Sequence, residues 1–524
     1  MNNLLKYVLM STALFAVLNL PSVGQSYQVI SNSCLGGSAG EKNGSIVYCG
    51  NYEFIMGCQS FSDSSGFKTV PLCNPVNSGM WILKTDTSYA SIWQLTIDGN
   101  RGEGRTEFSM NSINSNINFA CASMSDSSCD KSENNKSFPN YPFDYWVGAC
   151  DSSGVILWEK TLGGMGDDDY PIIFQSSASD YYVMGTSFSP IGGDKTVANY
   201  GGPDYWMVKL DSTGHIKWDK VYGGSSNEMV LTYSQLSMVE SNDHAVVFLG
   251  NTISPADGTV SDTSRGGYDL WVVKIDTTGS VIWDKRFGGN DDEVANSIIK
   301  TPDGGFLLCG TTFSDQGLDV SEVKKGLGDV WIVKIDSLGN KQFDRRYGGN
   351  NKSWGVDVKI APGGGYWIGG ITDSDSLFDV SQPGYGGYDY WLIRVDSLGN
   401  KIWNGRYGAA GVELLCNFLV LPDSSVMLYG WGGNGISPVK TDSGYGGGDM
   451  YLVRIKYVDN TSGIAQPESI SSFQLYPNPA QDAFTLVSDA LKQREVTISI
   501  YNLPGELVYR EKVTPNTNSI RVPI

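Results

Sequence analysis

The sequence predicts an all-β protein whose main body is a seven-bladed β-propeller. Three observations carry this prediction: an aromatic residue recurs at nearly fixed spacing, each repeat holds four strand-like runs, and the two ends of the array complement each other. Glycine is frequent, with 64 of 524 residues, and 12% of the residues are aromatic. This composition favours short strands and tight turns over helices. The length exceeds that of one ordinary core, which suits a repeat array.

The recurring residue is an aromatic anchor near the start of a strand-like run, in most copies two residues after an aspartate. It occurs seven times: Trp81, Trp146, Trp206, Trp271, Trp331, Trp391 and Tyr451. The anchors are 65, 60, 65, 60, 60 and 60 residues apart. A second aromatic residue follows each of the first six by twelve residues, and a glycine precedes the last five by 21 residues. Gly57 and Ala120 are the looser equivalents of that glycine in the first two copies. Such a period indicates a repeat architecture.

Each repeat, of about 60 residues, is predicted to form four antiparallel strands. In the fifth copy these are Ala295–Thr301, Phe306–Thr312, Asp329–Asp336 and Lys341–Tyr347. The third strand of the preceding copy, Asp269–Asp276, is apolar on both faces, so its sheet needs cover on both sides. Sheets stacked radially in a propeller provide that cover. A β-sandwich is the alternative, but sandwiches lack a repeat of this fidelity.

The ends of the array predict how the ring closes. The last copy stops after Gly447–Tyr457 without a fourth strand, and Ser26–Cys34 looks like an orphan fourth strand. We expect the N-terminal strand to complete the last blade, which removes exposed sheet edges. The propeller then spans residues 25–458, and a polar linker spans 459–470. Alternating strand-like runs in residues 471–524 predict a small Ig-like β-sandwich.

The first 24 residues predict a signal peptide. Lys6 precedes a mostly apolar run over residues 7–20, and the small residues 22–24 form a cleavage site. The run is too short for a spanning helix, and no later stretch is apolar enough to cross a bilayer. No cysteine lies at the cleavage point, which disfavours a lipoprotein. The net charge of −19 argues against nucleic acid or an anionic membrane as a partner.

The nine cysteines are concentrated in the first third of the chain, which holds seven of them. An exported chain permits disulfides, and we expect the N-terminal blades to be stapled by one of two pairings: Cys58–Cys73 or Cys121–Cys129. Cys309 and Cys416 lie in apolar runs and are expected to be free core residues. Because the chain has no CxxC pair and only two histidines, metal ligation by these cysteines is disfavoured.

Two motifs near the C-terminus carry a resemblance to a known domain. One is residues 475–480, with Tyr476, Pro477, Asn478 and Pro479 at its centre; the other is residues 500–509. Together they resemble the type A C-terminal sorting domain of the type IX secretion system. The resemblance implies passage through the periplasm, export by the type IX machinery as a partner, and release or attachment at the outer cell surface. Family members usually continue further, so we expect an incomplete sorting domain.

The repeat Gly-Gly-x-Asp-x-Trp-x-x-Lys-x-Asp-x-x-Gly-x-x-x-Trp is similar to glycine-rich propeller repeats of secreted bacterial proteins with this sorting domain. That family mostly has no assigned activity, so the resemblance implies fold and location only. Two better understood propellers fit less well. Residues 211–218 are one residue shorter between Asp and Gly than the pyrroloquinoline-quinone repeat, and they separate these residues by one more than the sialidase Asp-box. We therefore expect no bound quinone and no sialidase site.

Two repeated polar positions are candidate site residues. An aspartate at the start of the third strand is interpreted as a cap for backbone N–H groups, with a ring of calcium ligands as the alternative. It occurs at Asp144, Asp204, Asp269, Asp329, Asp389 and Asp449. A cation on the strand face opposite the anchor is expected to form ion pairs between blades. It occurs at Lys84, Lys209, Lys274, Lys334, Arg394 and Arg454.

The remaining candidates lie in loops. The acidic segments 167–169, 291–293 and 373–375 are interpreted as solvated loops, with calcium binding as the alternative. The long loop 126–143, rich in Asn, Ser, Tyr and Phe, is the favoured position for ligand recognition. Neither of the two histidines, His215 and His244, lies beside an evident Ser or Cys nucleophile in sequence, so a catalytic triad is not expected.

These observations predict a non-enzymatic propeller that is secreted or attached to the cell surface and acts as a binding or adhesion scaffold. Its ligand is expected to be an extracellular protein or glycan. The alternative is a glycan-active hydrolase on the same fold, which requires two carboxyl groups at catalytic separation in a rim pocket. No cofactor is expected, and calcium stays open as an alternative.

Overall fold

The structure is a computed structural model that describes most of the chain. The described residues are 17–19, 26–103, 109–113, 116–137, 143–231, 236–458, 474–476, 483–487, 496–501, 507–513 and 519–523. The chain divides into two compact units, Val29–Lys456 and a second unit formed by Met1–Gln28 with Tyr457–Ile524. Within the described residues every regular element is a β-strand. None of these residues forms a helix of the length and apolarity needed to cross a membrane.

The larger unit is a seven-bladed β-propeller, as the sequence predicts. Its described residues form seven four-stranded antiparallel sheets. The first strands of neighbouring sheets contact one another around a closed ring, and five of them line a common cavity. The first strand of each blade is therefore the innermost, and the fourth strand is the outermost.

Each blade is a meander that runs from its innermost strand to its outermost. Blade 1 consists of Glu41–Tyr48, Phe54–Ser60, Gly79–Thr85 and Ser91–Ile97. Blade 2 consists of Ser109–Ile113, Asn116–Ser123, Asp144–Cys150 and Ile156–Leu162. Blade 3 consists of Asp168–Gln175, Tyr181–Ser187, Asp204–Leu210 and Ile216–Tyr222. Blade 4 consists of Ser237–Glu240, Val246–Thr252, Asp269–Ile275 and Val281–Phe287. Blade 5 consists of Glu293–Lys300, Phe306–Thr312, Asp329–Ile335 and Lys341–Tyr347. Blade 6 consists of Ser353–Ile360, Tyr366–Thr372, Asp389–Val395 and Lys401–Tyr407. Blade 7 is Glu413–Val420, Val426–Gly432, Asp449–Val458 and Ser26–Leu35.

Ring closure follows the prediction from the chain ends. The N-terminal strand Ser26–Leu35 pairs with Asp449–Val458 and becomes the outermost strand of blade 7. Both edges of the array are thereby joined within one sheet, so the ring has no open seam.

The register within blades explains the glycine marker of the repeat. In blade 5 Gly310 of the second strand pairs directly with the anchor Trp331 of the third. In blades 1 and 2 the residues opposite the anchor are Cys58 and Cys121, so the expected equivalents Gly57 and Ala120 were each wrong by one residue. The loops between the second and third strands differ in length in these two blades, which shifts the spacing.

The hydrophobic core is divided into layers between adjacent blades. One layer combines Tyr182 and Met207 of blade 3 with Phe248 and Trp271 of blade 4. Comparable layers join blades 7 and 1, 4 and 5, 5 and 6, 1 and 2, and 2 and 3. Both faces of a third strand are buried for this reason, because each blade is covered by two neighbours.

The smaller unit contains two antiparallel three-stranded sheets. One consists of Val17–Asn19, Val496–Tyr501 and Leu507–Val513, and the other of Gln474–Tyr476, Ala483–Val487 and Ser519–Pro523. The predicted all-β character of this region is confirmed, and the Ig-like topology stays a prediction. Val17–Asn19 lies within the predicted signal peptide, whose cleavage site lies outside the described residues. The signal peptide and the linker 459–470 likewise stay predictions.

Candidate functional site

The aromatic anchors lie inside the blades, away from any surface. All seven are fully buried. The indole N–H of Trp271 donates to Asp284 on the fourth strand (2.9 Å), and the same carboxylate accepts the backbone N–H of Ser261 from the loop between strands 2 and 3 (2.9 Å). The first six blades share the indole contact at the equivalent residue, which is Gln94, Glu159, Asp219, Asp284, Asp344 or Asn404. The structure therefore gives the anchors a role in holding the loop to the blade.

The repeated third-strand aspartate caps the backbone, as interpreted from sequence. Oδ2 of Asp269 accepts the backbone N–H of Arg265 at 3.0 Å. The same contact recurs at Tyr200–Asp204, Lys325–Asp329, Tyr385–Asp389 and Tyr445–Asp449. In all six aspartates the other oxygen, Oδ1, is buried and accepts no hydrogen bond. Capping therefore explains the position of Oδ2 in these aspartates but not the burial of Oδ1.

The glycines that follow the fourth strand are required by this aspartate. A Cβ on Gly288 would lie 1.8 Å from Oδ1 of Asp269, and a Cβ on Gly289 would lie 2.4 Å from the Cβ of Ser314 in the next blade. Gly36, Gly223, Gly348 and Gly408 face the corresponding aspartates in the same way. The Gly-Gly pair is therefore set by close packing at the blade junction.

Acidic residues predicted to lie in solvated loops are partly buried at these junctions. Asp168, Asp169 and Glu293 are buried, whereas Asp291 and Asp292 are exposed. The prediction was wrong for the three buried residues, because they begin the first strand of a blade. Glu293 accepts the backbone N–H of Gly289 (2.9 Å) and the hydroxyl of Thr312 (2.7 Å).

Every blade buries one cation beside these acids. In blades 4, 5 and 6 it is an arginine of the fourth strand: Arg286, Arg346 and Arg406. In blades 1, 2, 3 and 7 it is a lysine of the loop between strands 2 and 3: Lys68, Lys131, Lys195 and Lys440. Nη1 of Arg286 donates to the carbonyl of Ser254 (2.6 Å), and Nζ of Lys68 donates to the equivalent carbonyl of Ser62 (2.7 Å). The two residue types therefore occupy the same pocket.

The other repeated cation forms ion pairs within blades, so the prediction of pairs between blades was wrong. Lys274 reaches Asp243 at 2.7 Å, and Lys334 reaches Asp303 at 2.8 Å. The pairs Lys84–Glu53, Lys209–Asp180 and Arg454–Asp423 follow the same scheme. The acid comes from the turn between the first and second strands of the same blade, which lies at the same end as the start of the strand 3–4 hairpin. Arg394 binds the backbone carbonyl of Gly364 instead.

The first strands surround a central cavity of about 270 Å³. Its polar lining includes Asn296, Ser297, Asp357, Lys359 and Asn417. Asp357 accepts the Ser297 hydroxyl (2.8 Å) and pairs with Lys359 (2.8 Å), so its charge is balanced. Asp357 is the single acidic residue among those that line the cavity. These contacts link blades 5 and 6 and leave no second carboxylate for acid–base work in the cavity.

One histidine lies near a serine that is distant in sequence. Nδ1 of His244 lies 2.9 Å from Oε1 of Glu240 and 3.3 Å from Oγ of Ser177, and Ser177 also donates to Glu240 at 2.6 Å. A catalytic triad places the nucleophile and the carboxylate on different ring nitrogens. In this cluster both contact Nδ1, and the serine is bonded to the acid itself. The cluster is a surface hydrogen-bond network without triad geometry.

The disulfide joins two blades through their loops. Cys73 of blade 1 is bonded to Cys129 of blade 2, so both pairings predicted from sequence were wrong. The N-terminal blades are therefore linked by a disulfide, as expected. The disulfide crosses the junction between blades 1 and 2, because the strand 2–3 loops of these blades meet there. Asp98 lies beside these cysteines and accepts the backbone N–H of Cys73. With both sulfurs in the disulfide, this cluster offers one carboxylate and no thiolate to a metal.

The loops between strands 2 and 3 define one end of the propeller, which we call the loop rim. Consecutive antiparallel strands alternate in direction, so these loops and the connections between blades share an end, and the strand 3–4 hairpins lie at the other. Twelve large hydrophobic side chains of the described loop rim are exposed: Phe61, Val76, Phe188, Ile191, Tyr200, Leu318, Val323, Leu327, Leu377, Phe378, Ile436 and Tyr445. The favoured loop 126–143 contributes none of them among its described residues, 126–137 and 143.

Two of these exposed residues have unusual backbone geometry. In each of six blades a four-residue turn of the loop rim has its second residue in the left-handed region. That residue is Gly66, Cys129, Gly193, Gly258, Leu318 or Phe378, with φ between 51° and 62°. Glycine adopts this conformation without strain, and Cys129 is held by its disulfide. Leu318 and Phe378 are bulky residues at φ of 51° and 53°, and they are 67% and 63% exposed. The hydrophobic clusters formed by the described residues of the propeller do not include these two side chains.

The sorting motif lies in the smaller unit. Tyr476 ends the strand Gln474–Tyr476, and Pro477, Asn478 and Pro479 lie outside the described residues. Residues 474–524 match the family model of the secretion system C-terminal sorting domain. The chain is therefore exported by the type IX secretion system, whose machinery is a partner, to the cell surface or the extracellular space. The incompleteness of the domain stays a prediction.

A curated relative is similar to part of the chain. The regulatory protein FlaEY of Caulobacter vibrioides is 22% identical over 194 residues. The match covers 35% of this chain and 20% of that protein. This chain thus spans a small part of the relative's length.

Solved structures with similar folds have low identity. A protein of unknown function from Dyadobacter fermentans has a TM-score of 0.39 and 9% identity, covering 82% of this chain and 99% of that chain. The WD40 domain of Neurospora crassa Pan2 has a TM-score of 0.40 and 10% identity, covering 83% and 98%. An ulvan lyase of polysaccharide lyase family 25 has a TM-score of 0.46 and 9% identity, covering 81% and 95%. Likeness at this level carries no information on ligand or reaction.

Proposed function

We propose that this exported propeller is a non-enzymatic binding scaffold that holds an extracellular protein on its loop rim. One observation carries the proposal: Leu318 and Phe378 are held exposed and in left-handed backbone at turn positions where other blades have glycine. A bulky residue in this conformation costs about 1–3 kcal/mol and persists where it has a use. Exposure of the side chain removes packing as that use. Contact with a partner is what remains.

The composition of the loop rim supports a protein as the partner. Seven of its twelve exposed hydrophobic side chains are aliphatic, and aliphatic side chains gain free energy by burial against other apolar groups. Glycan sites depend more on aromatic platforms and on carboxylate or amide hydrogen bonds. The two strained residues lie in adjacent blades, 5 and 6, so they fall within one footprint of a protein interface.

The location of the carboxyl groups supports binding over glycoside hydrolysis. A hydrolase needs two carboxyl groups that a sugar can reach. Carboxyl pairs do exist at the blade junctions, such as Asp269 with Glu293, but both residues are fully buried. In the cavity Asp357 is the single acidic lining residue, and Lys359 neutralises it.

The test uses the full chain and two matched double variants. Leu318→Gly with Phe378→Gly removes the side chains and restores the turn residue of blades 1, 3 and 4. Leu338→Ser with Leu398→Ser is the control, because these leucines are 66% and 60% exposed on the strand 3–4 hairpins of the same two blades. Binding is measured on arrays of immobilised extracellular proteins and of glycans, with and without calcium, and glycan turnover is assayed in parallel.

We expect wild type and the hairpin variant to bind the same protein, and the glycine variant to bind at least tenfold more weakly while folding normally. Loss of one hot-spot side chain typically costs about 2 kcal/mol, which exceeds a factor of ten. Equal protein binding by all three proteins would place the interface elsewhere and reject the proposal. Glycan turnover would reject it in favour of the hydrolase, and glycan binding alone would reject the protein partner.

A further inference from the structure

Acidic residues of neighbouring blades face each other in pairs at five of the seven junctions. In each pair the aspartate of the third strand meets an acid that begins or precedes the first strand of the next blade. The pairs are Asp144–Asp168, Asp204–Glu228, Asp269–Glu293, Asp389–Glu413 and Asp449–Glu41. All ten residues are buried. Two like charges without solvent between them are costly, so each pair needs a positive partner.

The pair between blades 3 and 4 shows the geometry. A Cβ placed on Gly223 would lie 2.0 Å from Oδ1 of Asp204 and 2.3 Å from Oε2 of Glu228, so the two oxygens flank the same point. Oδ1 of Asp204 accepts no hydrogen bond. Glu228 already accepts the backbone N–H of Gly224 (2.8 Å) and the hydroxyl of Thr252 (2.5 Å). The one missing element is a hydrogen between the two carboxyl groups.

The buried charges at the blade junctions are unbalanced. Twelve buried acids occupy the start of a third strand or the position at or before the start of a first strand: Glu41, Glu103, Asp168, Glu228, Glu293, Glu413, Asp144, Asp204, Asp269, Asp329, Asp389 and Asp449. They share the seven cations described above, one in each blade; Lys209, Lys274 and Lys334 are also buried but pair with acids at the other end of the third strands. Five of the twelve negative charges therefore have no cation in these pockets. In the Asp389–Glu413 pair each acid has its own ion partner, Arg406 (2.5 Å) and Lys440 (3.1 Å). The nearby buried acids Asp98, Asp219 and Asp284 add to the excess, whereas Asp344 is paired with Lys341 at 2.7 Å.

We propose that four of these junctions, all except Asp389–Glu413, each bind one proton shared between the two carboxyl groups, and that these protons make closure of the propeller dependent on pH. The shared proton gives the aspartate Oδ1 a hydrogen-bond partner and removes one negative charge from each junction. The blades are then joined by carboxyl–carboxylate hydrogen bonds, which are short and charge-assisted.

The close packing favours a proton over a metal ion. Gly223 lies against both oxygens of the Asp204–Glu228 pair, and a single added carbon would already collide with them. A calcium ion needs six to eight oxygen ligands at about 2.3–2.6 Å. Two buried cations already interact with the pair, Lys195 with Asp204 and Arg286 with Glu228. A proton requires no additional room.

The sign of the pH dependence follows from the direction of the pKa shifts. Burial, and then the neighbouring Glu228, raises the pKa of Asp204 from 3.8 to about 8. The charged groups around the pair are Lys195 and Asp219 of blade 3 and Arg286 and Asp269 of blade 4. Between about pH 4 and pH 8 the folded protein thus holds a proton that the unfolded chain has released. Stability is therefore greatest at the acid end of this window and falls as the pH rises through it.

The test is Asp204→Asn in the full chain. The asparagine oxygen still accepts the backbone N–H of Tyr200, and its NH₂ group donates to Glu228, which replaces the shared proton by a hydrogen that does not titrate. We measure the free energy of unfolding by denaturant from about pH 5 to about pH 8, where its slope counts the protons released on unfolding. The variant is expected to match wild type at pH 5, to exceed it at pH 8, and to release about one proton fewer.

The control is Asp329→Asn. At that junction Ser353 stands where the other blades have an acid, so Asp329 faces no carboxyl group and has Arg346 as its ion partner at 3.2 Å. This variant is expected to lose stability at both ends of the window. Burial also raises the pKa of Asp329, but Arg346 and Lys325 oppose that shift, so it should lose less pH dependence than Asp204→Asn. An unchanged proton count in Asp204→Asn would overturn the proposal, as would stabilisation of wild type by calcium at pH 8 that Asp204→Asn abolishes. If Asp204→Asn does not fold, infrared spectroscopy of wild type at pH 6 is the test. A band from a protonated carboxyl group is expected, and its absence would reject the shared protons.

Discussion

Blades 4, 5 and 6 differ from blades 1, 2, 3 and 7 in the source of their buried cation. The first group has arginine in the fourth strand and valine at the end of the loop turn: Val260, Val320 and Val380. The second group has lysine at that turn position and Thr96, Thr161, Val221 or Cys34 in the fourth strand. Each blade thus has one of the two cations and none has both. The comparison teaches that the fold fixes the charge in the pocket and leaves open which strand or loop supplies it.

A second exchange of the same kind occurs where the ring closes. At four junctions a tryptophan of the fourth strand packs on a hairpin glycine of the next blade, as Trp218 does on Gly279. Between blades 7 and 1 the aromatic residue comes from the other side: Tyr89 takes the glycine position, and its hydroxyl bonds to Ser31 of the outermost strand at 2.7 Å. An aromatic side chain is therefore present at these junctions in both arrangements, although a different blade supplies it.

The largest expected effect comes from removing a cation and then supplying it from the other position. Arg286→Thr leaves Asp269 buried without its ion partner, which typically costs about 3–5 kcal/mol. Adding Val260→Lys gives blade 4 the arrangement of blade 2, Thr161 with Lys131, and we expect it to recover more than half of the loss. The free energy of unfolding of the full chain is measured for both single variants and the double variant.

Val260→Lys alone is the control for this cycle. It places a second cation in an occupied pocket, so it should destabilise the protein and give a strongly non-additive cycle. Additive effects of the two substitutions would show that lysine and arginine serve unrelated purposes, and the comparison between the two groups of blades would fail.

An intermediate effect is expected from the glycines that both groups share. Gly288→Ala in an arginine blade and Gly223→Ala in a lysine blade each force a carbon against the buried aspartate, and overpacking of this kind costs about 1–3 kcal/mol. Because the aspartate lies in the same place in both groups, the two losses should agree. Gly40→Ala is the matched control, since its Cβ would meet nothing closer than 3.9 Å. A clear inequality between the first two variants, by thermal unfolding, would mean that the cation type changes the junction.

Much of the fold could be predicted from the sequence, because its repeat is written in local patterns. The anchor spacing, the strands Phe306–Thr312 and Lys341–Tyr347, and closure by the N-terminal strand all follow from periodicity and turn residues. Capping by the strand-3 aspartate was also accessible, since an acid at a strand start has few other roles.

The junctions could not be predicted, because they depend on residues distant in sequence. Asp269 and Glu293 belong to different blades, and their burial is created by ring closure. The disulfide between Cys73 and Cys129 crosses a junction for the same reason. A signal was nonetheless present: Val260 changes to Lys195 or Lys440 in those repeats that lack the fourth-strand arginine. An alignment of the repeats for paired changes would have revealed one cation in every blade.

The smallest effect is expected from the second set of cations, at the other end of the third strands. Lys274 pairs with Asp243, whose side chain is 60% exposed, so solvent screens the pair. Blade 6 shows that the acid is dispensable, because Arg394 there binds backbone carbonyls of the turn. We expect Asp243→Ala to cost about 0.5–1 kcal/mol, and less at high salt. Denaturant unfolding at low and high ionic strength checks this value. A loss as large as that of Arg286→Thr would contradict the difference between an ion pair with an exposed acid and one with a buried acid, on which the comparison of the blades depends.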